Sequence, residues 1–295
     1  MSVYFETAPD TTLHIRITQP DTSTTKPLLV FLHYWGGSSA TWHKVTSASS
    51  PTSLSSQYPT VAIDLRGWGS STGPSEDTGR SYAVVNMAAD VASVLSQLKD
   101  DAQYRGLLAH GFVLVGHSMG GKVAVATLST LPTNLLKLLR GFVLVAPAPP
   151  TTLVLPPDMK EQQKVAYESA DSVRWTVTNV LTDVQNLDHD DVELIVRDSL
   201  RGTLLAKEAW PAYGMEQNIS HDVKVALLGP LAKTIKVHIL AGELDLVEPR
   251  ERLQTQVCRF LEDAGVRVSF RVLPGVRHLI PLEAPEAIVE EVSHF

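Results

Sequence analysis

Between residues 112 and 128 the chain passes from a short apolar run, through a glycine-flanked serine, into a stretch of small residues. Phe112-Val-Leu-Val115 leads directly into Gly116-His-Ser-Met-Gly120, and Lys122 to Leu128 follows. This order predicts a strand, a sharp turn and a helix, with Ser118 at the apex. Glycines two residues before and two after the serine remove side chains where backbone must pass close to backbone. Such a segment commits the chain to a sheet whose strand ends turn abruptly into helices. It also holds one serine hydroxyl at a strand end, beside a helix N-terminus.

The rest of the chain repeats the alternation. Ser2 to Thr7 and Leu13 to Thr18, separated by Pro9-Asp10, read as an antiparallel hairpin at a sheet edge. Apolar strand runs follow at Leu28–Leu32, Thr60–Ile63, Phe112–Val115, Phe142–Val145, Ile235–Leu240 and Val266–Val272. Runs of this kind suit strands covered on both faces, as in a parallel sheet. Ser81 to Leu98 carries a helix-period stripe through Val84, Met87, Val91, Leu95 and Leu98, and Arg250–Ala264 and Pro285–Phe295 read similarly. The expected class is α/β: a mostly parallel, doubly wound sheet of about eight strands.

The alternation breaks after Ala148. A proline-rich lead, Pro147 to Pro150, opens a stretch that reads as helical up to Pro230, with a helix starting near Asp190 at the capping-box spacing Asp190-Asp-Val-Glu193. We expect residues 148–230 to form a helical lid inserted into a core of residues 1–147 and 231–295. A lid over the carboxyl ends of the strands would shape a site there.

Composition excludes several classes. No apolar run approaches the roughly 18 residues of a membrane span. The formal charge of −7 comes without a basic stripe and argues against nucleic-acid binding. Met1 to Asp10 lacks a basic region followed by an apolar one, so no secretory signal is expected. The single cysteine, Cys258, cannot form an internal disulfide and points to a cytoplasmic setting and a buried structural role. No His/Cys/Asp cluster has ligand spacing, so neither metal nor organic cofactor is expected.

A serine hydroxyl needs a base, and the base needs an orienting carboxylate. Of ten histidines, His278 follows the last strand run, lies in a Gly/Pro-rich loop and precedes the final helix. It therefore falls at the same sheet edge as Ser118. The carboxylate should follow another strand, where Glu243, Asp245 and Glu248 are available. Asp245, three residues past Gly242, fits best, and the loop Ala146 to Thr152 carries no acid at all. The developing oxyanion needs N–H donors. Met119, next to the nucleophile, should supply one, and Trp35 in the loop His33-Tyr-Trp-Gly-Gly37 the other, with Tyr34 as second choice. His33 should brace that loop.

With these residues placed, the chain resembles the α/β-hydrolase fold superfamily over nearly its full length. It looks most like its capped, cofactor-independent esterase, lactonase and haloperoxidase-like branch. The resemblance rests on the His33 loop, Asp64-Leu-Arg-Gly-Trp-Gly-Ser70, Gly116-His-Ser-Met-Gly120, Gly242-Glu-Leu-Asp245 and Gly275-Val-Arg-His278. It implies a Ser118–His278–Asp245 triad that cleaves a carboxylic ester, lactone or thioester through an acyl-enzyme. Serine at the elbow departs from the dehalogenases and epoxide hydrolases of this fold, which use aspartate. Tyr34 departs from the glycine usual in the oxyanion loop. Apolar lid residues Trp175, Trp210, Tyr213 and Met215, with Tyr34, are expected to line a pocket for a small to medium apolar substrate. The same triad would also serve an acyltransferase, a carbon–carbon bond hydrolase, a hydroxynitrile lyase or a slow-turnover ligand receptor.

Overall fold

The hairpin and the six apolar runs become eight strands of one sheet: β1 (Ser2–Ala8), β2 (Thr11–Thr18), β3 (Leu28–Leu32), β4 (Thr60–Ile63), β5 (Phe112–His117), β6 (Leu139–Val145), β7 (Lys236–Gly242) and β8 (Arg267–Leu273). The computed structural model describes residues 1–295. Across the sheet the order is β1-β2-β4-β3-β5-β6-β7-β8. Strands β3 to β8 run parallel, β2 is antiparallel to β4, and β1 pairs antiparallel with β2 at the edge.

Side chains alternate between the two faces, and each face has its own cover. Leu28, Val30 and Leu32 of β3 join one apolar cluster, together with Met87, Val91 and Leu95 of helix α1 (Val84–Asp100). Leu29 and Phe31 join a second cluster with Trp42, Ile288 and Val292. The sheet is thus doubly wound. β8 differs from the reading of a strand covered on both faces: Arg267, Ser269 and Arg271 alternate outward, because β8 is the other edge of the sheet.

Helix α2 (Met119–Ala126) begins three residues earlier than the residue pattern indicated, since Ser118 itself is its N-cap position. Between β6 and β7 the chain is helical, including α3 (Pro157–Val165), α4 (Ala170–Thr176) and α5 (His189–Arg201). The box that caps α5 is Asp188 with Asp191, not Asp190 with Glu193. Glu193 is instead engaged by Arg174 of α4, at 2.9 Å.

This insert bonds to the loops at the carboxyl ends of the strands. Thr203 N–H donates to Gly67 O after β4, and His278 N–H after β8 donates to Leu181 O. At its base, Leu153 N–H pairs with Met215 O and Ile219 N–H with Pro150 O. The buried Lys122 ammonium of α2 donates to Thr151 O and Met215 O, joining the insert to the helix that follows Ser118.

Candidate active site

One residue makes the turn from β5 to α2. Ser118 has φ 52° and ψ −116°, a conformation L-residues avoid, at a strain of about 1–3 kcal/mol. Its neighbours hold it there. Ser118 N–H donates to Val145 O at 3.0 Å, and its carbonyl accepts from Gly121 and Ala148 at 2.9 and 3.0 Å. The flanking glycines permit the crossing. A Cβ on Gly116 would sit 2.5 Å from Gly120 O, and one on Gly120 would collide with Leu32 O.

His278 is buried beside this serine, and its Nδ1 lies 2.8 Å from Asp245 Oδ2. The other oxygen of Asp245 accepts Val247 N–H at 2.7 Å and Glu248 N–H at 3.0 Å, so the carboxylate cannot rotate away. Nδ1–H therefore donates to Asp245, and Nε2 is left as the basic atom. Burial opposes charge on the ring, but the charge and hydrogen bond of Asp245, with Glu248 and Glu283 nearby, outweigh it and hold His278 above its ordinary 6.5. His278 and Ser118 line one cavity without a hydrogen bond between their side chains in this structure.

His117 occupies the turn beside Ser118 and holds the backbone of His278. Its Nε2–H donates to His278 O at 2.8 Å, and the two rings lie 5.1 Å apart. Burial, and then the neighbouring His278, push its pKa well down, so it stays neutral. The remaining acids after β7 take other places. Glu243 accepts Gly275 N–H, and Glu248 is buried against Arg252, where desolvation pushes it up to about 8.

The loop after β3 is braced by His33. Its Nε2 accepts Leu65 N–H at 3.0 Å, so Nδ1 carries the proton and donates to Tyr34 O at 2.7 Å. Burial pushes its pKa down to about 4. The N–H groups of Tyr34 and Trp35 make no hydrogen bond within the protein, and Met119 is the first residue of α2, where helix N–H groups lack intrahelical partners. The insert grips the outer side of this loop. Tyr167 O–H donates to Trp35 O at 2.8 Å, Ser199 O–H to Gly36 O at 2.8 Å, and Ser38 O–H to Asp198 at 2.5 Å. The Trp35 indole N–H donates back to Lys207 O.

Ser118, His278, Tyr34 and Trp35 share a small cavity of about 40 Å³. That is room for a few heavy atoms, since one water needs about 10–15 Å³ on this measure. A larger dish of about 420 Å³ near Gln19 and His110 is polar and open, and holds neither Ser118 nor His278. The insert roofs the cavity with Trp210, Leu181 and Tyr167, among others. Tyr34 is one wall, its ring 5.2 Å from that of His117.

Three expected pocket residues lie elsewhere. Trp175 is 53% exposed, because α4 turns Val173 and Thr176 inward and Trp175 to the opposite side. The Tyr213 hydroxyl accepts Tyr82 N–H, and its ring lies beneath Arg80, outside the cavity. Met215 is buried in the core, its carbonyl taken by Lys122 and Leu153. Nine lining residues were missed: Tyr167, Thr176, Val180, Leu181, Val247, and the group Met159, Gln162, Gln163 and Ala166. The members of that group stand at i, i+3, i+4 and i+7 along α3 and its end, a stripe visible in the sequence but interrupted by two glutamines.

Far from Ser118 in sequence, His238, Glu291 and His294 bring their ligand-type atoms within 4.8 Å of one another. Spacing along the chain could not show this. Cations already share the group: Arg271 approaches Glu291 at 3.5 Å, and Lys236 donates to His294 O. Cys258 is buried and unpaired, its thiol pushed up to about 11 by desolvation.

The model of the alpha/beta hydrolase family matches residues 29–291. The probable protein phosphatase methylesterase 1 of Dictyostelium discoideum is 26% identical over 182 residues, covering 57% of this chain and 54% of that protein. Protein phosphatase methylesterase 1 of Bos taurus is 35% identical over 120 residues, covering 40% and 27% respectively. The chain thus spans about half, or less, of the curated relatives it matches. Among solved structures, a bromoperoxidase from Bacillus anthracis superposes with a TM-score of 0.78 at 15% identity, covering 100% of this chain and 99% of that one. A thermophilic esterase from Thermogutta terrifontis gives 0.70 at 20% identity, covering 100% and 97%. At these identities the structures share the fold.

Proposed function

The chain belongs to the alpha/beta hydrolase family, and on that premise we propose that it hydrolyses carboxylic esters of small substrates through an acyl-enzyme on Ser118. The observation that carries this reading is one cavity shared by a strained serine at a helix N-terminus and a histidine bonded to a fixed carboxylate. Ser118 attacks the carbonyl as His278 Nε2 takes its proton, and Asp245 stabilises the imidazolium. The N–H groups of Trp35 and Met119 receive the oxyanion, each worth about 3–4 kcal/mol in the transition state. His278 then protonates the leaving alcohol and activates water against the acyl-enzyme.

Residues 148–230 act in this reading as a lid that sets substrate size. The cavity of about 40 Å³ favours a short acyl or alcohol group, on an ester, lactone or thioester. Two relatives are named methylesterases, which supports an ester with a small alcohol; the protein phosphatase in those names stays with those proteins.

The test is a panel of short-chain chromogenic esters and lactones, with Ser118→Ala beside the wild type, and mass mapping of an organophosphonate adduct. We expect turnover of short esters, a loss of at least about 10³-fold in the variant, and an adduct on Ser118. Full activity in Ser118→Ala, or an adduct elsewhere, would overturn the mechanism.

A further inference from the structure

Nine buried side-chain polar atoms in this fold have no hydrogen-bond partner, and one of them, Gln163 Oε1, belongs to a residue that lines the cavity with Ser118 and His278. A sealed carboxamide oxygen without a donor is costly, and native folds keep few of them. Helix α3 sharpens the point. Its cavity-facing stripe runs Met159, Gln162, Gln163, Ala166, where helix packing alone would ask for apolar residues. Gln162 is accounted for, since its amide donates to Thr176 Oγ1 at 2.9 Å. The side-chain oxygen of Gln163 accepts no hydrogen bond from any protein group.

We infer that Gln163 is a specificity-determining residue: it accepts a hydrogen bond from a hydroxyl or amide N–H that the substrate carries a few bonds from its scissile ester. The inference rests on the acyl-enzyme reading and narrows it. Ser118 and Gln163 line the same cavity of about 40 Å³, so a substrate seated at Ser118 lies in the space that Gln163 borders. Because this oxygen is sealed from solvent, a substrate donor that reaches it satisfies an acceptor that otherwise goes unpaired, and a substrate without a donor leaves it so. A site built to pair with such a donor discriminates strongly against the isostere lacking it. The substrate class is therefore a short hydroxy- or amido-substituted ester, rather than a plain alkyl ester.

The test uses substrates matched in shape. On the acyl side, p-nitrophenyl N-acetylglycinate is compared with p-nitrophenyl levulinate (N–H against CH₂), and the 3-hydroxybutanoate with the 3-methylbutanoate. On the alcohol side, 2-hydroxyethyl acetate is compared with propyl acetate. Each pair is run on wild type and Gln163→Leu, with intrinsic background rates subtracted. We expect the donor-bearing member of at least one pair to be favoured about 10-fold or more in kcat/KM. In Gln163→Leu that preference should vanish, the kcat/KM ratio within each pair falling to about one, while the melting temperature does not fall.

Turnover of plain esters with no preference in any pair, or a preference that survives Gln163→Leu in a folded variant, would overturn the inference and leave the ester reading standing. A preference lost only through unfolding is separated by Gln163→Asn, which keeps an amide but draws it back by one methylene. That variant should fold and lose most of the preference, and a retained preference would also refute the assignment. Absence of turnover on every ester, with no adduct on Ser118, would strike the ester reading itself.

Discussion

Asp245→Asn isolates the role of the carboxylate while keeping its shape. In the wild type one oxygen accepts two backbone N–H groups, at 2.7 and 3.0 Å, and the other accepts the proton of His278 Nδ1 at 2.8 Å. Asparagine has only one oxygen, and the two backbone donors fix where it must point. Its NH₂ then faces His278 Nδ1, which must become an acceptor, so the proton moves to Nε2 and the base is lost. The corresponding change in a serine triad costs about 10⁴-fold in kcat, or about 5 kcal/mol at 1.36 kcal/mol per tenfold. The pH profile supplies a second readout. His278 stands above 6.5 because the charges and hydrogen bond around it, those of Asp245 foremost, outweigh burial. The wild-type acid limb of kcat/KM should therefore lie above pH 6.5, and in the variant burial should carry it lower. Stopped ester assays from pH 5 to 9, with circular dichroism to confirm the fold, measure both. A loss below about tenfold in a folded variant, or an acid limb that does not move, would refute the assignment of Asp245.

Tyr167→Phe removes the hydroxyl on Trp35 O and leaves that buried carbonyl unpaired, at a cost of about 1–3 kcal/mol in urea unfolding. Because the bond orients the oxyanion loop, kcat should fall more than KM rises, and the reverse split would argue for a substrate contact only. Glu248 holds its proton to about 8 in the fold, against the usual carboxyl value of 4.5. Between those pH values the unfolded chain binds fewer protons than the native one, so the contribution of Glu248 to stability falls as pH rises. Urea midpoints across that range should show a downward slope that Glu248→Gln flattens, with ester turnover at neutral pH little changed.

Strands were legible because buried strands are written as short apolar runs, and six of the eight sit between two neighbouring strands, where such runs are demanded. Ser118, His278 and Asp245 were legible because each lies just past a strand at one edge of the sheet, a position that chain order alone supplies. The roof of the cavity was not. Trp175 is the largest apolar residue of its helix, yet the phase of α4 turns it to solvent. Gln162 and Gln163 sit in a helix with no fully buried residue, and read as surface until the insert folds down over Ser118. Which Asp caps α5 was likewise undecided by spacing, since Asp188 to Asp191 offer overlapping boxes and the pull of Arg174 on Glu193 selects one.

The grip of Tyr167, Asp198 and Ser199 on the loop after β3 bears on how such a protein can be rebuilt. The insert leaves and re-enters the sheet between the adjacent strands β6 and β7, so its two ends invite exchange for the insert of another family member. Yet the carbonyls of Trp35 and Gly36 find their partners on the insert and nowhere in the core, and the Ser38 hydroxyl donates to the insert as well. A transplanted insert would bring a new pocket and orphan the loop beneath it. Recombination among relatives must therefore carry residues 33–39 and the insert together, as one heritable block despite more than a hundred residues between them.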